Sequence, residues 1–308
     1  MSLHVVVGAG PIGSGAATSL ADSGHEVKVV TRSGTGPEHP LVQRVRLNAA
    51  DALALVEVCA GAVAVYNCAN PAYHRWVSDW PPLAASLLAA AQAHDAVLAT
   101  VSNLYAYGPV AGPITAALPD APHDHKGEVR ARMWASALEA HRSGKVRAVE
   151  VRAGDYIDAG ARSVLGHNVP ALLAGRRLRV LGDPDQPHTW TSTADTVRAL
   201  LRVSADASTH GRVWLVPSNP PRTQRQALAD LAAAAGVPAP RVVGTSMAVL
   251  RVGGLFSPLL RELRGTYYQF DRPFVVDDRE TRERLGLQPE PWPDVLAHVV
   301  DAARPRTV

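Results

Sequence analysis

The chain has 308 residues, of which 47% are hydrophobic and 19% charged, and its formal net charge is +3. That is the balance of a globular protein with room for a main domain and a smaller lobe, and it excludes a disordered chain. The basic residues are scattered in short stretches such as Arg176-Arg177-Leu178-Arg179, which argues against a nucleic-acid face.

No apolar run reaches transmembrane length, and the N-terminus begins directly with a candidate strand instead of a signal peptide. Cys59 and Cys68 are the only cysteines, too few for a disulfide framework. The expectation is a cytoplasmic protein with reduced thiols, no membrane partner and no nucleic-acid partner.

Leu3 to Val7 is a β-branched apolar run of buried-strand length. Gly8, Gly10 and Gly13 follow at G-x-G-x-x-G spacing, with Pro11 and Ile12 between them. Ser14 to Ser23 reads as an Ala-rich helix that Gly24 stops. Strand, glycine turn and helix in that order form a dinucleotide cradle. Gly8 permits the tight turn, Gly10 lets backbone approach a pyrophosphate, and Gly13 lets helix and strand pack closely. The helix N-terminus offers free N–H groups to the phosphates.

Glu26 to Thr31 is the second strand, followed by Arg32-Ser33-Gly34. A ribose 2′-hydroxyl calls for a carboxylate about 20 residues past the glycines. Here Arg32 stands instead, with the Thr31 and Ser33 hydroxyls beside it, a set that suits a 2′-phosphate. The expected cofactor is therefore NADP (NADPH).

Further strands are predicted at 44–47, 62–66, 96–102 and 146–152, with helices at 52–59, 83–93 and 128–141. Strands separated by helices argue for βαβ units and a doubly wound parallel sheet. The second half is less regular. Helices are predicted at 164–174, 195–203, 222–235, 246–264 and 292–303, the fourth with a weakness at Gly253-Gly254, and short strands at 178–181 and 213–216. The predicted organisation is a Rossmann-type core over 1–160, completed by about 188–217. A discontinuous small C-terminal α/β substrate lobe takes 161–187 and 218–308.

Four segments together resemble the extended short-chain dehydrogenase/reductase superfamily, the group related to sugar-nucleotide epimerases and dehydratases. They are the Gly8 turn, Asn67-Cys68-Ala69-Asn70, Thr100 to Gly108 with its Ser102 and Tyr107-Gly108, and His188 to Asp195. The resemblance implies that Cys68, Ala69 and Asn70 line the cofactor. The chain departs from it at several positions. Val7 replaces a frequent glycine, Asn48 an adenine-binding Asp, and Asn103 the catalytic Ser or Thr. The stretch matching Tyr-x-x-x-Lys is Lys126 to Arg130, with Lys126 near the Tyr position and Arg130 near the Lys.

In the family the Tyr supplies the proton, so a substitute is needed. If strand geometry persists past Val101, Asn103 and Tyr105 share a face. Tyr105 is then the candidate proton donor and Asn103 a candidate holder of a carbonyl oxygen. Lys126 or Arg130 would tune Tyr105 by positive charge or bind an anionic substrate. Tyr105 as a packing aromatic and Lys126 as a solvated charge is the competing reading, and Tyr107 is assigned to structure.

His123-Asp124-His125 reads as a solvated loop, so no metal site is expected. Tyr73, Trp76 and Trp80 suit either a cleft wall or a packed helix start. Asp155-Tyr156, and Tyr267 to Phe270, suit either substrate contact or lobe core.

The leading expectation is an NADP-dependent oxidoreductase acting on a small organic carbonyl, alcohol or activated alkene. The alternatives are a sugar-nucleotide epimerase or dehydratase using the cofactor transiently, and a non-catalytic NADP(H) sensor. The partner expected is a small-molecule substrate, and a homodimer is compatible with the chain.

Overall fold

A computed structural model describes residues 1–158, 163 and 165–303. Two compact units are present. The first comprises Met1–Ala106, Asp120–Arg152 and Thr196–Leu215; the second comprises Tyr107–Pro119, Ala153–Asp195 and Val216–Val308.

The chain opens with β1 (Leu3–Val7), α1 (Pro11–Asp22), β2 (Glu26–Thr31), β3 (Val42–Arg46), α2 (Ala52–Val58) and β4 (Ala62–Asn67). A 3-10 turn at Tyr73–Arg75 leads into α3 (Trp76–Ala93), then β5 (Val97–Asn103), a 3-10 turn at Tyr105–Tyr107, α4 (His125–Arg142) and β6 (Arg147–Ala153). Then come β7 (Asp155–Tyr156), α5 (Val169–Leu173), β8 (Leu178–Leu181), β9 (Trp190–Thr191), α6 (Thr193–Ala205) and β10 (Val213–Leu215). The chain continues with α7 (Gln224–Ala235), β11 (Val242–Thr245), α8 (Met247–Gly253), α9 (Pro258–Glu262), α10 (Arg279–Leu285) and α11 (Trp292–Ala303).

The first unit is a parallel seven-stranded sheet in the order β10-β6-β5-β4-β1-β2-β3. The chain runs outward from β1 through β3, then crosses to β4 on the other side of β1. The topological switch point therefore lies between β1 and β4, where doubly wound sheets bind their ligands. Strand side chains alternate between the two faces. Val5, Val7, Val65 and Leu98 pack with Leu55, Trp80, Leu87 and Val129 of α2, α3 and α4. On α1, Gly15 leaves room for Val197 of α6, whose Cγ2 would lie 3.1 Å from an added Cβ.

The second unit carries two small parallel sheets, β8 with β11 and β7 with β9. Its core gathers Ile157, Leu165, Val180, Trp190, Leu228, Leu231 and Leu296. His188 stacks on Phe270 at 5.0 Å, with its Nε2 at 2.8 Å from Asp155 Oδ2. Asp155 and Phe270 thus serve this lobe's own packing.

Several predicted boundaries change. α3 starts at Trp76, so Pro81 and Pro82 lie inside it instead of opening it. Both prolines are exposed, as are Val77 and Ser78, whose carbonyls lose their helical partners to them. α4 starts at His125 because Asp124 caps it, accepting the Gly127 N–H at 2.8 Å, so His123-Asp124-His125 is a helix start and not a loop. The predicted 246–264 helix breaks into α8 and α9 at the Gly254 turn. The predicted helix at 164–174 is a 3-10 turn at Gly166–Asn168 followed by α5, and Val164 lies outside the described residues. β7, β9, β11 and α10 have no counterpart among the predicted elements.

Candidate active site

The glycine turn at the end of β1 is built by close approach. Gly8 has φ +102°, in the left-handed region, and an added Cβ would lie 2.6 Å from the Cys68 carbonyl oxygen. A Cβ on Gly13 would lie 2.0 Å from the Gly8 oxygen and 3.2 Å from Cys68 Cβ. These glycines therefore serve contact between β1, α1 and the end of β4. Gly10 differs: its Cβ would meet nothing within 4 Å.

Gly10 is also the N-cap of the 12-residue α1, with Pro11 in its first turn. The first N–H groups of a helix have no intrahelical acceptor. Open space therefore lies before a helix N-terminus with no acidic residue in its first turn. These residues fit a dinucleotide pyrophosphate. Ile12 is half-buried beside them.

Cys68 and Ala69 flank the turn, because the Cys68 N–H donates to Val7 oxygen at 2.9 Å. Burial pushes the Cys68 thiol up to about 12, which favours its protonated form at neutral pH. Asn70 is exposed beyond them.

At the ends of β2 and β3, Arg32, Arg46, Leu47, Asn48 and Asp51 line one open pocket. Arg32 and Arg46 make no ion pair among the described residues. The structure thus brings Arg32 and Asn48 together as neighbours and adds Arg46, which sequence reasoning passed over as a strand residue. Thr31 and Ser33 are turned elsewhere. The Thr31 hydroxyl donates to Thr35 oxygen at 2.9 Å, and Ser33 Oγ lies 2.8 Å from Thr35 Oγ1.

β5 ends at Asn103, so the strand alternation expected to put Asn103 and Tyr105 on one face does not hold. Tyr105 is set instead by the 3-10 turn, which Asn103 Oδ1 caps by accepting the Tyr105 N–H at 3.2 Å. Gly127 then allows α4 to touch that turn: a Cβ there would lie 2.5 Å from the Tyr105 carbonyl oxygen.

Lys126, next to Gly127, is fully buried, so it is not a solvated charge. Its ammonium lies 4.5 Å from the centre of the Tyr73 ring. The Tyr73 hydroxyl donates to Tyr105 Oη at 3.4 Å. Tyr73 thus touches both Lys126 and Tyr105.

One helical turn on, the Arg130 guanidinium carbon lies 4.7 Å from the Trp76 ring and 4.3 Å from the Trp80 ring. Two cations of α4 thus face three aromatics spaced along the segment opening α3, an arrangement that stabilises buried charge through ring quadrupoles. The sequence offers Tyr73 as a cleft wall or part of a packed helix start, and its distance from Lys126 in the chain hides the pairing.

On β6, Arg152 binds Glu150 Oε1 at 2.7 Å and Asp120 Oδ1 at 2.6 Å. Burial raises the Glu150 carboxyl, and the Arg152 guanidinium opposes that shift. The Asp120 contact ties the segment entering α4 to the sheet. Among the described residues no cluster of His, Cys, Asp and Glu suits a metal ion.

Residues 4–216 match the model of the NAD dependent epimerase/dehydratase family, and the chain belongs to that family. Among solved structures it is similar to UDP-glucose 4-epimerase from Thermotoga maritima with UDP-glucose, at 17% identity and TM-score 0.80, covering 98% of each chain. It is also similar to a double mutant of the dTDP-glucose 4,6-dehydratase DesIV from Streptomyces venezuelae with NAD and DAU bound. There the identity is 20% and the TM-score 0.74, over 98% of this chain and 96% of that one. MoeE5 in complex with UDP-glucuronic acid and NAD matches at 19% identity and TM-score 0.79, again over 98% of each chain. At these identities the likeness establishes the fold. No curated protein matches the chain significantly.

Proposed function

We propose that this chain is a nicotinamide-dependent enzyme of the epimerase/dehydratase type. It would act on a secondary alcohol or ketone of a nucleotide-linked sugar, with the cofactor returned to its starting state. The observation that carries this reading is the open Gly10 cradle at the switch point, in a chain matched by the family model over 4–216. The likeness to an epimerase and a dehydratase with nucleotide-sugar ligands supports the substrate class.

In this reading Gly10 and the α1 N-terminus hold the pyrophosphate, and Cys68, Ala69 and Asn70 line the dinucleotide. Arg32, Arg46 and Asn48 hold the adenosine end. A bound nicotinamide supplies the acceptor or donor of a hydride. Tyr105 takes the hydroxyl proton as an alcohol carbon is oxidised and returns it on reduction. Tyr73 donates a hydrogen bond to Tyr105 Oη, which stabilises negative charge on that oxygen. Lys126 adds positive charge behind Tyr73. This set takes the place of the Tyr-x-x-x-Lys pair. The Asn103 oxygen is committed to the 3-10 turn, so its role is to position Tyr105.

A second reading is a net NADP-dependent reductase of a small carbonyl. The paired guanidinium groups of Arg32 and Arg46 favour it, because they suit a 2′-phosphate. One experiment separates the two. The purified protein is incubated with each nicotinamide cofactor and with UDP- and dTDP-linked hexoses. Sugar conversion without net change in nicotinamide absorbance supports the epimerase/dehydratase reading. Stoichiometric cofactor consumption supports the reductase, and neither result with any substrate rejects both in favour of a cofactor-binding sensor.

A further inference from the structure

In the second unit, four exposed apolar side chains gather within eight residues. They are Val249, Val252, Leu255 and Phe256, at 51%, 63%, 73% and 86% exposure. Val249 and Val252 are one helical turn apart on α8, and Leu250, on the other side of α8, is buried. Leu255 and Phe256 project from the turn where the predicted long helix breaks. Such clustering calls for a covering partner.

We propose that this face docks on an anionic phospholipid surface. Three observations favour lipid over protein. The first is charge: Arg251, Arg261 and Arg264 are exposed around the patch, and Glu262 is the only acid in 246–264. Arg251 and Arg264 make no ion pair among the described residues. Arginines flanking apolar side chains are what an anionic headgroup layer attracts. In a two-fold contact between copies, the same patch would face itself and set arginine against arginine.

The second is size. A stable protein interface uses about 20–30 residues a side, and this patch is one short stretch.

The third is the backbone. The N–H groups of Leu255, Phe256 and Ser257 donate to Val252, Gly253 and Gly253 oxygens at 3.1, 3.0 and 2.9 Å. Arg261 Nε donates to the Gly254 oxygen at 3.1 Å, closing the turn. A tip whose N–H groups are already satisfied can enter an apolar layer without the penalty that unpaired groups bring. Among the described residues no helix is long and apolar enough to cross a membrane, so the contact is peripheral.

The test is sedimentation of the full chain with phosphatidylcholine vesicles, with and without phosphatidylserine. The protein should bind the mixed vesicles and not the pure ones, and added salt should release it. Leu255→Ser/Phe256→Ser should weaken the partition at least about tenfold. Arg251→Glu should weaken it by about tenfold as well. All these positions are exposed, so each variant should keep the parent melting temperature. Failure to bind mixed vesicles overturns the proposal, as does binding that survives both variants. A concentration-dependent dimer that Leu255→Ser/Phe256→Ser dissolves would also overturn it and assign the face to self-association.

Discussion

The Lys126 ammonium lies 4.5 Å from the centre of the Tyr73 ring, and the hydroxyl of that ring reaches Tyr105 Oη at 3.4 Å. The contact sets a buried cation against the electron-rich face of a phenol whose oxygen meets a second phenol. Desolvated cation–π contacts contribute about 2 kcal/mol, enough to offset part of the cost of burying the ammonium.

The first prediction tests Tyr105 as the acid–base group. Tyr105→Phe keeps the ring and its packing on Trp76, whose centroid is 5.9 Å away. It removes only the hydroxyl, so kcat should fall by about 10²- to 10⁴-fold while the melting temperature holds. Tyr73→Phe should give a smaller loss, because Tyr105 keeps its proton but loses one donor. Lys126→Met keeps the volume and removes the charge, and should move the acidic limb of the pH–rate profile, set by the proton Tyr105 must lose before it can take the substrate's, to higher pH. An unchanged kcat in Tyr105→Phe, with hydride transfer shown to be rate-limiting by a deuteride isotope effect, eliminates Tyr105 from the chemistry.

A second prediction separates the glycines that look alike in the motif. Gly10 has φ −70° and ψ −178°, a conformation open to any residue, and empty space before it. Gly10→Val should therefore fold like the parent and lose cofactor binding. Gly13→Ala puts a methyl group 2.0 Å from the Gly8 oxygen and should lower stability by about 1–3 kcal/mol. Denaturant unfolding and cofactor titration of both variants check the contrast. Normal cofactor binding by a folded Gly10→Val protein would move the pyrophosphate elsewhere.

How much of this was legible in the sequence follows from the range of each signal. The β1 turn was readable because its glycines, its strand and its helix are neighbours in the chain. The sheet is readable because strands and helices alternate with clear periods, and the family because four short segments, from the Gly8 turn to His188–Asp195, stand in its order. The two-residue β7 and β9 carry no period at all. The Lys126–Tyr73 contact joins distant segments, and neither residue type announces the other. The placement of Tyr105 by strand alternation does not hold, because Asn103 ends the strand by capping a turn. That side-chain hydrogen bond is a local event, and hydrophobic pattern does not register it.

A third prediction concerns the cofactor's adenosine end. Arg32 and Arg46 line one pocket, and a 2′-phosphate there would meet two guanidinium groups. The Kd for NADPH should lie at least about tenfold below that for NADH, about 1.4 kcal/mol. Arg32→Ala and Arg46→Ala should each reduce the gap, and the double variant should abolish it. Equal affinity of the unmutated protein for the two cofactors would assign the pocket to another role.

The last prediction is a pH dependence of stability that lies away from the site. His4 on β1 is buried, with Nδ1 at 3.2 Å from Tyr66 Oη and Nε2 at 3.1 Å from Ser2 Oγ. Burial, and next the neighbouring His25, push its imidazole down from 6.5 to about 4. Between those values the unfolded chain holds a proton on His4 that the folded chain does not. Stability therefore rises with pH across this window. The contribution is complete above about 6.5 and is lost progressively as pH falls toward 4, to a total of about 3 kcal/mol. His4→Gln keeps a polar side chain and cannot titrate, so its urea-unfolding free energy should vary less between pH 4 and 6.5 than the parent's. The two curves should have parallel slopes above that window, where His4 is neutral in both states. A parent and variant with the same slope between pH 4 and 6.5 would mean that His4 takes up its proton equally well in the folded chain.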